Sequence, residues 1–252
     1  MMLEILAAVT ALTAVSDSYP SLSPDNRTLL FSSNRTGTRA IWAAKPDGSD
    51  PHVLFDGGAI GERPVTPVWS PDGKRILFAM TPKGATDPDE SEIYVMDASG
   101  KEIRRLTNVP GDDSHPHWSA NGKRIFFNSP RATPDLKADW SKQWIDIYSM
   151  AADGSDVRKL TDCHEVCTYP VPSPDGRFVA HRQVTATPGL TWELDPGLRN
   201  SEVFVTAVDG SGSANVSNSP AFDGWPMWSP DGRWLVFASN RDRVAMLRKS
   251  TP

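Results

Sequence analysis

Residues 70–78 read Ser-Pro-Asp-Gly-Lys-Arg-Ile-Leu-Phe, and this stretch decides the fold. Pro71 presets φ and Gly73 tolerates φ > 0, so Ser-Pro-Asp-Gly is a tight reversal. The apolar run behind it reads as a short strand. The same phrase returns as SPDNRTLLF from Ser23, SANGKRIFF from Ser119, SPDGRFVAH from Ser173 and SPDGRWLVF from Ser229. The five serines are spaced 47 to 56 residues apart. A repeat of that period, with Gly and Pro punctuating short apolar runs, predicts the four-stranded blades of a β-propeller. The same punctuation excludes helical repeats.

Each unit parses into four strands, a to d. Strand a precedes the serine, at 19–22, 67–69, 116–118, 169–172 and 226–228. Strand b follows the turn, at 28–31, 75–78, 124–127, 177–180 and 234–237. Strand c is AIWAA from Ala40, EIYVM from Glu92, DIYSM from Asp146 and EVFVT from Glu202. A second turn of the PDGS type leads to strand d, at 52–55, 103–107, 157–161 and 214–217. The blades therefore run 18–56, 64–107, 115–161, 169–217 and 225–248 within a single all-β domain, 1–252. The fifth unit has a thin strand c at 244–248 and no strand d. Residues 9–13 (VTALT) have the form of VRKLT at 157–161 and sit just before the first strand a. The expectation is five blades, the last closed by this N-terminal strand. An incomplete six-bladed ring is the alternative. A signal-peptide reading of 3–15 is weighed against the strand, but Glu4 stands where a positive start belongs.

With 38% hydrophobic residues and nine Trp the chain is not disordered, despite 22 Pro and 18 Gly. A net charge of −5 leaves no basic footprint, so no nucleic-acid partner is expected. No apolar stretch approaches the roughly 18 residues of a membrane-spanning helix. A monomer is expected.

The SPDGKRILF phrase, the EIYVM strand, the DGS turn and the RRLT strand together resemble the TolB-like, WD-like β-propeller repeat of bacterial cell-envelope proteins, over residues 9–248. The resemblance implies a periplasmic or secreted protein that binds a protein or peptide partner, without catalysis and without a cofactor. TolB itself carries an α/β domain before its propeller that has no counterpart in this sequence, so a Tol-Pal role is not part of the expectation.

Growth of the period falls in the b–c connections, 32–39, 81–91, 129–143 and 184–201. Loops held by a rigid scaffold are the usual carriers of binding residues. Arg182, Trp192, Arg199 and Trp225 are placed at one quadrant of the channel mouth on that face. Arg35 and Arg241, each after Asn behind strand b, are turn residues or anion contacts. Trp140, Trp144 and Trp192 pin long loops or form a platform. Trp69, Trp118 and Trp228 share one repeat position and are read as packing between blades.

His115-Pro116-His117 places two imidazoles on one face of strand a. With His181 as a third ligand they would suit Zn, Mn or Fe. The segment resembles His-Pro-His in propeller-type oligogalacturonate lyases, with Asp112 where that family has Gln. That resemblance implies the alternative function: a carbohydrate-active enzyme using one divalent metal on an oligosaccharide. Ordinary hydrogen-bonded channel histidines are the competing reading. Cys163 and Cys167 reach disulfide geometry in a bent loop. Two thiols, or a metal site with His164, are the other options. No nucleophile motif is present.

Overall fold

The computed structural model describes residues 15–87, 90–138, 142–184, 201–219 and 222–240. Among these the turn chemistry separates eighteen β-strands, with no α-helix. The first sheet pairs β1 (Asp17–Leu22), β2 (Leu29–Ser33), β3 (Ala40–Ala44) and β4 (His52–Phe55) in chain order. The second pairs β5 (Gly61–Trp69), β6 (Arg75–Pro82), β7 (Glu92–Asp97) and β8 (Arg104–Arg105). β9 (Ser114–Trp118), β10 (Arg124–Ser129), β11 (Asp146–Ala151) and β12 (Arg158–Lys159) make the third. β13 (Val166–Pro172), β14 (Phe178–Val184), β15 (Ser201–Ala207) and β16 (Ser213–Asn215) make the fourth. β17 (Asp223–Trp228) and β18 (Leu235–Ser239) form a two-stranded sheet.

Five complete blades were expected; the described residues form four, plus the inner hairpin of a fifth. The strands assigned to 9–13 and 244–248 lie outside the described residues. The first strands of successive sheets touch, β1 to β5, β5 to β9, β9 to β13 and β13 to β17. This is the order of a propeller, with strand a innermost.

Packing explains why strand b of the second blade, β6, is apolar from Ile76 to Met80 rather than alternating. Ile76, Phe78 and Met80 face Leu30, Ile41 and Ala43 of the preceding blade. Leu77 and Ala79 point the other way, to Ile125 and Phe127 of the next. Both faces are core, and each large side chain so buried contributes about 1.5–3 kcal/mol.

The recurring polar residues are used locally. In each a–b turn the serine hydroxyl donates to the residue two positions on, at 2.6 Å to Asp25, Asp72, Asp175 and Asp231 and 2.9 Å to Asn121. Asn26 replaces the turn glycine of the other repeats and takes φ 57°. The acid opening strand c ties down the chain after strand d. The Thr161 hydroxyl and the Cys163 amide donate to Asp146 at 2.9 and 2.8 Å. Likewise Glu92 accepts from the Val109 amide at 3.1 Å. Side chains therefore hold the outer edge where β8 and β12 shrink to two residues, shorter than the sequence suggested.

Candidate channel-mouth binding site

Four residues before each turn serine stands a residue followed by proline: Tyr19, Thr66, His115, Tyr169 and Trp225. Proline has no N–H to give to strand b, so the ladder must break there. In all five blades it does, as a bulge spanning this dipeptide. The five residues take left-handed φ values of 55°, 52°, 51°, 57° and 50°. Ordinary strand geometry is abandoned at one level around the axis.

Four of the five side chains at this level meet. The Tyr19 and His115 rings are 6.0 Å apart between centroids, His115 and Tyr169 3.9 Å, and Tyr169 and Trp225 6.4 Å. They come from blades one, three, four and five, so contact is made across the axis. The Tyr19 and Tyr169 hydroxyls hydrogen-bond, and burial raises the Tyr19 phenol well above its ordinary value. Arg182 is buried, its guanidinium 5.0 Å from the Tyr169 ring centroid and 5.9 Å from that of Phe222.

His115 is oriented from behind. Asn128 donates from Nδ2 to the Ser114 hydroxyl at 2.9 Å and accepts at Oδ1 from Thr168 at 3.0 Å. Asn128 Oδ1 therefore also accepts from Nδ1–H of His115, at 3.0 Å. Nε2 is left as a bare acceptor. Burial, with the Arg182 guanidinium nearby, lowers the His115 pKa to about 3, so the ring is neutral. Beside it the Ser114 hydroxyl donates to Asp112 at 2.9 Å, and burial raises the Asp112 carboxyl to about 6. This level of the channel thus combines aromatic faces, a fixed acceptor, the Arg182 guanidinium and the Asp112 carboxyl.

Of the residues expected from sequence, Arg182 and Trp225 are brought to this cluster, while Trp192, Arg199, Arg241 and Trp140 lie outside the described residues. Arg35 is engaged by its own blade. It donates to Ser33 at 3.0 Å and Asp17 at 2.6 Å and lies over the Phe31 and Trp42 rings. Arg131 repeats this clamp with Ser129, buried Asp113, Phe127 and Tyr148. Trp144 lies edge-on to His164, centroids 4.5 Å apart, and brackets Thr133 through its backbone. Trp228 donates from Nε1 to the Val171 carbonyl of the neighbouring blade at 3.0 Å.

The three histidines considered as metal ligands do not converge. His115 and His117 share β9, but His181 lies inside blade four, stacked on Phe204 and bonded to Thr206 at 2.9 Å. Burial lowers His117 and His181 to about 4. Among the described residues no three His, Cys, Asp or Glu side chains are grouped to hold a metal. Cys163 and Cys167 are disulfide-bonded, with Cα atoms 6.4 Å apart. Sequence reasoning passed over Tyr19, Thr66 and Tyr169, although the five-fold Xaa-Pro four residues before the serine was the available signal.

Inner strands converging on an axial cluster, joined to the next strands by tight turns, define a β-propeller. The TolB beta propeller domain matches residues 61–188, and the chain belongs to that family. It is similar to an uncharacterised protein of Agrobacterium fabrum, 30% identical over 65% of this chain and 50% of that protein. An uncharacterised peptidase of Bacillus subtilis, YuxL, is 27% identical over 92% of this chain. The chain spans only 30% of that peptidase's length. Among solved structures, a TolB-type protein from Agrobacterium tumefaciens superposes with a TM-score of 0.68 at 25% identity, over 89% of this chain and 70% of that one. An oligogalacturonate lyase in complex with manganese shares the fold alone, at 15% identity and a TM-score of 0.61 over 89% of this chain and 60% of that one.

Proposed function

We propose that this propeller is a non-catalytic binding module of the bacterial cell envelope that captures a protein or peptide partner on its b–c/d–a face. The observation that carries this reading is the axial cluster itself. Five inner strands each give up regular pairing at one level of the channel, and four of the side chains there touch one another. Polar groups in the opposite-face turns are instead satisfied within those turns, as in Ser70–Asp72 and Ser99–Asp97. The disulfide supports an oxidising compartment such as the periplasm. Arg182 and Trp225 are the anchors of the reading, with Trp192, Arg199 and Arg241 as further contacts from the same face. In the same picture 9–13 pairs with 244–248 and completes a fifth blade.

Capture from envelope extract on immobilised protein tests the reading. Trp225 is 46% exposed, so Trp225→Ala should leave the fold intact and weaken capture by about 2 kcal/mol. Lys74→Ala and Asp209→Ala, on the opposite face, should leave it unchanged. The reverse pattern would place the partner on the wrong face for this proposal.

A further inference from the structure

We infer that His164 is a contact residue of the partner-binding face, and that the Cys163–Cys167 disulfide is there to present it. The inference deepens the partner-binding proposal and rests on it.

Three d–a connections are built on one plan. Cys163, Val109 and Ser219 each donate a backbone N–H to the acid that opens strand c, namely Asp146, Glu92 and Glu202, at 2.8, 3.1 and 2.9 Å. Four residues further on stand Cys167, Asp113 and Asp223, where the next strand a begins. The Cys167 N–H donates to the Ile145 carbonyl and the Asp113 N–H to the Ser91 carbonyl, both at 2.8 Å. Ile145 bridges Val166 in parallel, and Ser201 bridges Phe222 at the same repeat position. The backbone link between neighbouring blades is therefore made elsewhere without a disulfide, and the fold does not require one at 163–167. A ring this short also takes less entropy from the unfolded chain than a long loop would.

What differs is the residue carried between the anchors. Val109 and Ser219 are followed by Pro110 and Pro220, whereas Cys163 is followed by His164. Proline fixes φ at about −65°. His164 takes φ 48°, which proline cannot reach. A residue other than glycine holds that conformation at a cost, and only where its surroundings enforce it. The disulfide supplies the restraint that proline gives the sister connections, and it frees position 164 for a polar ring. That imidazole is 56% exposed. It stands edge-on to Trp144, which is itself held by two hydrogen bonds between its backbone and the Thr133 hydroxyl, 2.9 Å each. Asp162 lies 3.9 Å from Nε2, beyond hydrogen-bond distance. The ring is thus oriented, open to solvent and without a hydrogen bond among the described residues. It suits a backbone amide or hydroxyl of a partner lying across the b–c/d–a face.

The test places the photocrosslinking residue p-benzoylphenylalanine at position 164 and, as a control, at Asp153 in an opposite-face turn, and irradiates each protein in envelope extract. Position 164 should give an adduct with the protein that the parent captures, and position 153 none. His164→Ala should weaken capture about fivefold or more without moving the melting temperature. Cys163→Ala with Cys167→Ala should weaken it as much and lower the melting temperature by roughly 4–8 °C. Adding His164→Pro to that pair copies the sister connections. It should recover about 1–4 °C and none of the capture. If the histidine and the disulfide serve the fold alone, position 164 gives no adduct, or capture returns with the melting temperature; either result overturns the inference. The two readings separate. If Trp225→Ala weakens capture while His164→Ala does not, only this inference fails. If Lys74→Ala or Asp209→Ala abolishes capture, the partner-binding proposal fails.

Discussion

His181 stands where the other blades carry phenylalanine. Eight residues after each turn serine come Phe31, Phe78, Phe127 and, in the fifth unit, Phe237. The first three stack on Trp42, Tyr94 and Tyr148, with interplanar angles of 21°, 18° and 28°. His181 makes the same stack on Phe204 at 17°. It is a core aromatic with a polar liability: Nε2 bonds Thr206, while buried Nδ1 has no partner. The sequence carried this information in the repeat alignment, but a histidine near His115 and His117 in a channel drew a ligand reading instead. His181→Phe should stabilise the protein by about 1 kcal/mol, roughly 2–4 °C in melting temperature at this size. It should also flatten the acid side of the stability curve. Burial keeps folded His181 neutral down to about 4, whereas the unfolded chain takes the proton near 6.5. The stability it contributes is therefore present above pH 6.5 and lost as pH falls from 6.5 towards 4. Melting at pH 7 and pH 5 should show a smaller gap in the variant, and a wider gap would refute the assignment.

Elements were legible where turn chemistry and burial agree. Strand c is found at the expected bounds in β3 because Ala40–Ala44 is enclosed on both faces. Strand a was read too short, β5 starting at Gly61 rather than 67. Prolines at 64 and 67 look like strand breakers, and only the bulges they impose let pairing continue past them. The second turns show how identical motifs acquire different weight from their neighbours. Gly48, Gly100, Gly154 and Gly210 share φ values of 81°, 79°, 92° and 78°. A Cβ on Gly100 would lie 2.5 Å from the Leu54 carbonyl oxygen of the preceding blade, and on Gly154 2.9 Å from that of Leu106. At Gly48 and Gly210 it would meet nothing within 4 Å. Alanine at all four carries the left-handed penalty of about 1 kcal/mol. At 100 and 154 blade-to-blade overpacking should add about 1–3 kcal/mol. Urea unfolding of the four single variants measures this, and equal destabilisation would show that these turns do not lock one blade under the next.

At the scale of the molecule, period and motif reveal the ring, but they do not reveal how its ends meet. The fifth-blade hairpin exposes what its counterparts bury. Val236 is 64% exposed, whereas Leu30, Leu77, Phe126 and Ala180 at the same repeat position are at most 2% exposed. Met227 and Trp234 are 67% and 55% exposed, and Leu22 in the innermost strand of blade one is 45% exposed. An apolar sheet face of this kind, beside a strand edge that pairs with nothing among the described residues, is an aggregation hazard unless it is covered. Pairing of 9–13 with 244–248 would extend the hairpin outwards to four strands, giving this face the breadth of the other blades and removing its open edge. Deleting residues 1–14 should then lower the melting temperature by roughly 5 °C or more and increase binding of a hydrophobic dye. Mutating Val9 and Leu12 to Asp in the full chain should reproduce both effects, because charge on a buried strand opposes pairing without shortening the chain. If the deletion and the double variant both melt like the parent, residues 9–13 do not close the fifth blade.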